Sequence, residues 1–178
     1  MTRYAILFAL TLTATAAVAQ RGHNSNAPID FSSDTIELQD RANRAVLAGN
    51  VAVKQADMSL AAARLTVAYT GKVTDGSPQV SRLDASGGVT VRRPDQTARS
   101  QYAVYDLNRR IITMLGAVTL AQAGNTVSGG RLTISLDTGR AVIDGSSVGG
   151  GSVRGPDGTV TARPGGRVTG RFSVPKRD

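Results

Sequence analysis

The sequence predicts an all-β protein built from repeated strand pairs, and three observations support that prediction. Residues 45–55 alternate apolar and polar side chains with period two, which is typical of a half-buried strand. Leu47, Val51 and Val53 fall on one face of this strand. The same pattern returns twice further along the chain. Turn-forming residues interrupt the chain at intervals of about 8–12 residues, a spacing typical of all-β proteins.

Each copy of the repeat combines a glycine-containing strand with a second strand that follows it. The copies lie at residues 45–55 with 63–69, 86–91 with 102–106, and 115–120 with 130–137. Glycine inside a strand pattern, as at Gly49, predicts a bulge or bend rather than a turn. The spacing is uneven, with 38 residues from Val51 to Val89 and 29 from Val89 to Val118. Similar strand pairs are therefore joined by loops of variable length.

Taken in order, the chain predicts eight strands before the composition changes near residue 149. They are expected at residues 28–38, 45–55, 59–69, 80–91, 99–106, 111–120, 126–136 and 140–143. Residues 61–63 are alanines and favour helix locally, but the following alternation of Leu65, Val67 and Tyr69 predicts a strand. One face of the strands is aliphatic and the other is small and polar, so one layer must fold against another to bury its interior.

Residues 1–19 are typical of a secretory signal peptide. Arg3 supplies a positive charge, residues 4–18 are mostly apolar, and residues 17–19 form a small-x-small cleavage site. We therefore expect export and cleavage after Ala19. The alternative is a retained membrane anchor, but an apolar stretch of about fifteen residues is short against the roughly 20 that a membrane span needs.

The remaining chain divides into three segments. Residues 20–27 are predicted to be a flexible lead-in, residues 28–148 the β domain, and residues 149–178 a disordered tail rich in glycine and arginine. The tail is either an electrostatic arm toward an anionic surface or a solvating extension. His23, in the lead-in, is interpreted as a solvated linker residue rather than a metal ligand.

Composition excludes several function classes. The chain has no cysteine, one histidine and 4% aromatic residues, so thiolate metal sites, two-histidine metal sites and a stacking platform for nucleic acid are not expected. No Gly-x-Ser-x-Gly motif is present, and we expect neither enzymatic activity nor a cofactor. What remains is an aliphatic interior that could hold acyl chains, beside a net charge of +8 that suits phosphate or carboxylate groups.

Three motifs resemble the OstA-like family, to which the lipopolysaccharide-transport protein LptA belongs. They are Ser33-Asp34-Thr35-x-Glu37-Leu38, Leu47-x-Gly49-Asn50-Val51-x-Val53 and Ala63-x-Leu65-x-Val67-x-Tyr69. The resemblance covers roughly residues 29–144, and the first repeat is its most specific part. The tail departs from it, because a strand available for end-to-end pairing would be expected at that position.

The resemblance implies an open, twisted β-jellyroll of antiparallel strands and a periplasmic carrier of lipopolysaccharide or a similar glycolipid. It implies LptC-like and LptD-like proteins as partners, end-to-end self-association and no nucleic acid. Acyl chains would lie in a groove, and sugars and phosphates would face outward. By motif and repeat position, the groove residues are Leu47, Val51, Val53, Leu65, Val67, Val89, Val91, Val118, Leu120, Leu132 and Ile134.

Two alternatives stay open from the sequence. A membrane-anchored, LptC-like component would share the fold but keep its N-terminal segment. A periplasmic scaffold that binds no lipid would have an interior filled by its own side chains.

Overall fold

The computed structural model describes residues 23–71, 78–145, 153–154, 160–161 and 167–171. These residues form antiparallel strands, a 3-10 turn at Asp40–Ala42 and no α-helix. The strands are β1 (Ile29–Ser32), β2 (Thr35–Gln39), β3 (Arg44–Gln55), β4 (Met58–Thr70), β5 (Gln79–Arg93), β6 (Gln96–Asp106), β7 (Ile111–Gln122), β8 (Asn125–Ser135), β9 (Ala141–Asp144), β10 (Val153–Arg154), β11 (Val160–Thr161) and β12 (Thr169–Arg171). The predicted signal peptide, residues 1–19, lies outside the described residues.

The six long strands, β3 to β8, form an antiparallel meander in which each strand pairs with the next along the chain. Two short strands cover each edge of the meander. β1 and β2 pair with the two halves of β3, and β12 and β9 pair with the two halves of β8. Within the described residues, the two edges do not pair with each other. The fold is therefore the open β-jellyroll that the sequence predicts.

Every neighbouring pair of long strands changes register along one line across the sheet. On β3 the change falls between Ala48 and Val51, on β5 between Ser86 and Val89, and on β7 between Leu115 and Val118. The two residues inside each interval have positive φ, for example +77° at Gly49 and 45° at Asn50. These positions are the bulges that the strand glycines predict, and we call the line the corner.

The corner divides the sheet into two layers. Residues 44–48 of β3 and the halves that pair with them form the β2–β9 layer, which is bounded by those two short strands. Residues 51–55 of β3 and the halves that pair with them form the β1–β12 layer. Inward side chains of both layers join in a single buried hydrophobic cluster, so the aliphatic faces are buried against each other.

The sequence predicts one strand over residues 28–38, and this prediction is wrong. The chain instead crosses the corner between β1 and β2, one in each layer. Asp34 holds this crossing: its backbone N–H donates to the Gly49 carbonyl at 2.9 Å, and the Asn50 side-chain amide donates to its carboxylate at 2.9 Å. A Cβ at Gly49 would clash with the Asp34 carboxylate, so the motif at residues 33–38 meets the motif at residues 47–53 here.

Most of the predicted disordered tail, residues 149–178, lies outside the described residues. The parts that are described include β10 and β11, which pair with each other, and β12, which pairs with residues 126–128 of β8. The tail segment Thr169–Arg171 therefore belongs to the main sheet.

Candidate functional site

The structure brings all eleven predicted groove residues into the one buried cluster between the layers. Each is at most 9% exposed. The β2–β9 layer contributes Leu47, Leu65, Val67, Leu132 and Ile134, and the β1–β12 layer contributes Val51, Val53, Val89, Val91, Val118 and Leu120. Their facing follows from the alternation of each half-strand, which restarts after the corner.

Several other large side chains of the same interior were not predicted from the sequence. They include Leu60, Leu83, Tyr105, Ile112, Met114 and Leu136, all buried. The signal for two of them was present, because Ile112 and Met114 alternate with Thr113 and Leu115 in the same way as the predicted residues do.

At the N-terminal edge, the inward face continues to the end of the sheet and becomes exposed. Ile36 pairs with Leu47, Leu38 with Ala45, and Phe31 with Val53. Directly paired residues lie on the same face, so all three side chains extend the interior outward. Phe31 is 53% exposed, Ile36 is 50% exposed and Leu38 is 56% exposed. We call these three residues the mouth.

At the C-terminal edge, the interior is filled instead. Ile143 on β9 is half-buried, and its Cγ2 methyl occupies the space that a side chain at Gly129 on β8 would need. A Cβ at Gly129 would also lie 2.8 Å from the Asp144 carbonyl oxygen. Ile143 and Gly129 belong to different layers, so this contact closes the space between the layers at that end.

On the side opposite the corner, the free ends of the two layers come together. The Tyr105 hydroxyl, near the end of β6 in the β2–β9 layer, donates to Gln55 Oε1 at 2.9 Å, at the end of β3 in the β1–β12 layer. Burial raises the pKa of the Tyr105 hydroxyl, so it is protonated at neutral pH and acts as the donor. We call this side the lateral opening.

Residues 23–27, which we call the strap, lie across the lateral opening. The Gln55 side-chain amide donates to the carbonyls of Ser25 at 3.0 Å and Ala27 at 3.1 Å. From the other layer, Arg110 donates to the Asn26 side-chain oxygen at 3.2 Å. The strap therefore contacts both layers.

His23 begins the strap and is buried, with 6% of its surface exposed. Its Nδ1 lies 2.7 Å from an Asp57 carboxylate oxygen, and its Nε2 lies 3.3 Å from Gln55 Oε1. The prediction that His23 is a solvated linker residue is therefore wrong. Its partners lie 34 and 32 residues away in the sequence, and only the fold brings them together.

One cationic side chain points inward at the rim of the β1–β12 layer. Arg93 pairs with the buried Gln96, so both lie on the interior face, whereas its neighbour Arg92 is exposed on the outer face. The Arg93 Nε atom is buried and has no hydrogen-bond partner among the described residues. Buried donors are normally paired, so this position is suited to an anionic group.

A comparison with family models decides what kind of protein has this interior. Residues 30–140 match the family described as "LptA/(LptD N-terminal domain) LPS transport protein". The chain belongs to this family. The LptA/LptD N-terminal domain family is a family of lipopolysaccharide-transport proteins, and the match covers the whole meander from β3 to β8.

Two individual proteins are similar to this member of the LptA/LptD N-terminal domain family. An uncharacterized protein of Rhizobium meliloti (strain 1021) is 31% identical over 146 residues, covering 75% of this chain and 78% of that protein. The crystal structure of LptH from Pseudomonas aeruginosa, the LptA-homologous periplasmic component of the lipopolysaccharide transport device, superposes with a TM-score of 0.66. It is 19% identical and covers 85% of this chain and 99% of that chain, so it shows the fold.

In this LptA/LptD N-terminal domain family member, the carboxylates of Asp84 and Asp106 make local hydrogen bonds. Asp84 accepts from Arg82 at 2.8 Å, and Asp106 accepts from the Arg109 backbone at 3.0 Å. Among the described residues, no group of three or more His, Cys, Asp or Glu could hold a metal ion. In the same part of the chain, no helix has the length and apolar character of a membrane span.

Proposed function

We propose that this protein is a periplasmic carrier for lipopolysaccharide or a similar anionic glycolipid, which it binds passively through the acyl chains. The observation that supports this proposal is the continuous aliphatic face between the layers, which runs from the exposed mouth to Ile143. Membership of a lipopolysaccharide-transport family supports the same ligand class.

Burial of acyl chains between the layers would supply the binding energy. Each buried methylene contributes about 0.8 kcal/mol, so a chain of about twelve carbons offers roughly 10 kcal/mol before the costs of association. The interior side chains already pack against one another, with Leu47, Leu65 and Leu132 at 0% exposure. The layers must therefore separate to admit a chain, and part of the binding energy offsets the lost contacts.

The anionic headgroup would lie at the rim. Arg93 presents a guanidinium on the interior face with a buried, unpartnered Nε among the described residues. A phosphate oxygen there would accept a charge-assisted hydrogen bond, which is stronger than a neutral one. The net charge, +8 for the full chain and +7 once Arg3 is removed with residues 1–19, would attract the same headgroup over longer distances.

Transport between membranes would use the two edges of the sheet. Short strands cover both edges, β1 and β2 at one end and β9 and β12 at the other, and their outer backbone groups can pair with a further strand. We propose LptC-like and LptD-like proteins, or a second copy of this chain, as the partners that add such strands.

Photocrosslinking in cells tests the carrier proposal. A photoreactive residue replaces Val53, which points inward, and in a matched control it replaces Lys54, the next residue, which points outward and is exposed. We expect a lipopolysaccharide adduct at position 53 and none at position 54. Adducts at neither position, in a folded and exported protein, would contradict the proposal.

A scaffold without lipid is the second candidate, and the dense packing of the interior favours it. If the eleven groove residues serve only as a core, the protein would bind partners through its edges and position 53 would crosslink only to protein. The membrane-anchored alternative has its own test: mass spectrometry of the membrane fraction would find Met1 intact.

A further inference from the structure

The strap contains the one histidine of the chain, and its hydrogen bonds restrict the protonation of that histidine. The Gln55 side-chain nitrogen donates to two carbonyls, those of Ser25 and Ala27. This arrangement turns Gln55 Oε1, which can only accept, toward the Tyr105 hydroxyl and His23 Nε2. His23 Nε2 must therefore donate.

The second ring nitrogen of His23 faces an acceptor as well. Nδ1 lies 2.7 Å from an Asp57 carboxylate oxygen, and an ionised carboxylate only accepts. Neutral imidazole has one N–H, so it can satisfy only one of the two acceptors. The full set of contacts exists only when both ring nitrogens of His23 carry hydrogen, in the imidazolium form.

The charges around this histidine come from several elements. Asp57 faces it from the β3–β4 turn, and Arg93 at the end of β5 also acts on Asp57. Tyr105 approaches from β6, and Arg110, which binds the strap at Asn26, also pairs with Asp137 at 3.1 Å.

The Asp57 carboxylate keeps its charge while the strap is bound. The hydrogen bond from His23 is the main cause that lowers the Asp57 pKa below its ordinary value of 3.8, and partial burial opposes it. Because the folded pKa is lowered, this contribution to strap binding is present above pH 3.8 and is lost as the pH falls further. At higher pH, strap binding is weakened because His23 loses its imidazolium charge.

We propose that residues 23–27 are a pH-sensitive strap that holds the lateral opening closed while His23 is imidazolium and releases it when His23 becomes neutral. Because the strap binds Gln55 in one layer and Arg110 in the other, its release frees the two layers to separate. The inference rests on the proposed carrier function, in which the layers must separate to admit acyl chains. Lipid would therefore load faster when His23 is neutral than when it is imidazolium.

The first experiment needs no lipid. Tag-free protein with its single histidine labelled with ¹⁵N gives one imidazole, whose two ring nitrogens report protonation by NMR between pH 4.5 and pH 9. Amide hydrogen exchange at residues 23–27, corrected for the intrinsic pH dependence, is followed on the same samples. We expect exchange to rise about tenfold as the imidazolium disappears, since neutral His23 loses its ion pair with Asp57 and keeps only one of its two hydrogen bonds. Exchange unchanged through this titration overturns the proposal.

Matched aspartate variants identify the contact responsible. Asp57→Asn removes the charged acceptor of His23, so the strap should open at a lower pH than in the native chain. Asp95→Asn is the control, because Asp95 occupies the turn between β5 and β6 and accepts from Gln122 rather than from the strap. Equal effects of the two variants would overturn the assignment to the His23–Asp57 pair.

The lipid arm separates the strap from the carrier function. The rate at which fluorescently labelled rough lipopolysaccharide loads onto the mature protein is measured over the same pH range, with His23→Gln as the variant that cannot titrate. We expect loading to accelerate with pH in the native chain and to be independent of pH in His23→Gln. If the loading rate is independent of pH in both proteins, the proposal of a pH-sensitive strap is overturned and the carrier proposal stands. If the strap opens with rising pH but no lipid loads at any pH, the carrier proposal is contradicted and the proposal of a pH-sensitive strap stands.

Discussion

The two ends of the sheet have the same architecture and opposite surfaces. At each end, two short strands cover the last long strand, one in each layer. At the N-terminal end, inward-pointing Phe31, Ile36 and Leu38 remain about half exposed. At the C-terminal end, Ile143 of one layer fills the space over Gly129 of the other.

This difference lies in side chains and not in strand pairing. At the C-terminal end, Gly129 has no side chain and lets the layers approach each other. At the N-terminal end, the three large side chains of the mouth present an extended apolar surface. The ends are therefore not interchangeable. A partner at the mouth meets apolar surface continuous with the interior, whereas a partner at the closed end meets the outer backbone of β9 and β12 beside the smaller apolar side chains of Val142 and Val168, each 43% exposed.

Gly129→Val should have the largest effect, because it breaks the closed end. Its Cβ would overlap Ile143 and approach the Asp144 carbonyl, so β9 must shift away from β8. We expect the free energy of unfolding to fall by about 3 kcal/mol, at the upper end for overpacking. Denaturant titration measures this fall, and the m-value should be unchanged.

Ile143→Ala in the Gly129→Val background is the control for that experiment. It removes the overlapping methyl group and should restore part of the loss, while the contact with the Asp144 carbonyl remains. If Gly129→Val has native stability, Ile143 does not close this end.

Gly49→Ala should have a smaller effect, at the corner next to the mouth. Gly49 and Gly88 both have φ of +77°, so alanine meets the same left-handed cost of about 1–2 kcal/mol at either position. At Gly49 the new Cβ also clashes with Asp34, whereas at Gly88 nothing lies within 4 Å. We therefore expect Gly49→Ala to cost about 1 kcal/mol more than Gly88→Ala in denaturant titration.

Asp34→Ala combined with Gly49→Ala separates the clash from the backbone strain. The excess over Gly88→Ala should shrink in the comparison made within the Asp34→Ala background, because the carboxylate that meets the new Cβ is gone and only the contact with the Cβ of residue 34, at 2.9 Å, remains. An excess of undiminished size there would mean that the Asp34 carboxylate does not cause it.

Local alternation predicted the strands and the facing of the interior well, because those features are properties of neighbouring residues. The period-two pattern at Leu47, Val51 and Val53 places them inward in the structure, and the glycine positions predict the corner. This success holds for all the repeats, since each copy repeats the same local pattern.

Long-range contacts explain what the sequence did not predict. The break between β1 and β2 depends on the hydrogen bond from Asn50 to Asp34, 16 residues away. The burial of His23 depends on Gln55 and Asp57, more than 30 residues away. A short polar segment read alone resembles a solvated linker, and only the folded layers supply its partners.

The double variant Ile36→Gln, Leu38→Gln should have the smallest effect on stability, because both side chains are already about half exposed. We expect the free energy of unfolding to change by less than about 0.5 kcal/mol. Loading of lipopolysaccharide should nevertheless slow several-fold, since the apolar surface that leads into the interior is lost.

Glu37→Gln is the matched control for the mouth, because Glu37 lies between the two residues, pairs with Val46 and points outward. It should leave both stability and loading unchanged. Native loading in the double variant would mean that acyl chains enter through the lateral opening alone. The mouth would then serve partners and not lipid, and the difference between the two ends would concern assembly. Slower loading at unchanged stability would instead identify the N-terminal end as the entrance for lipid.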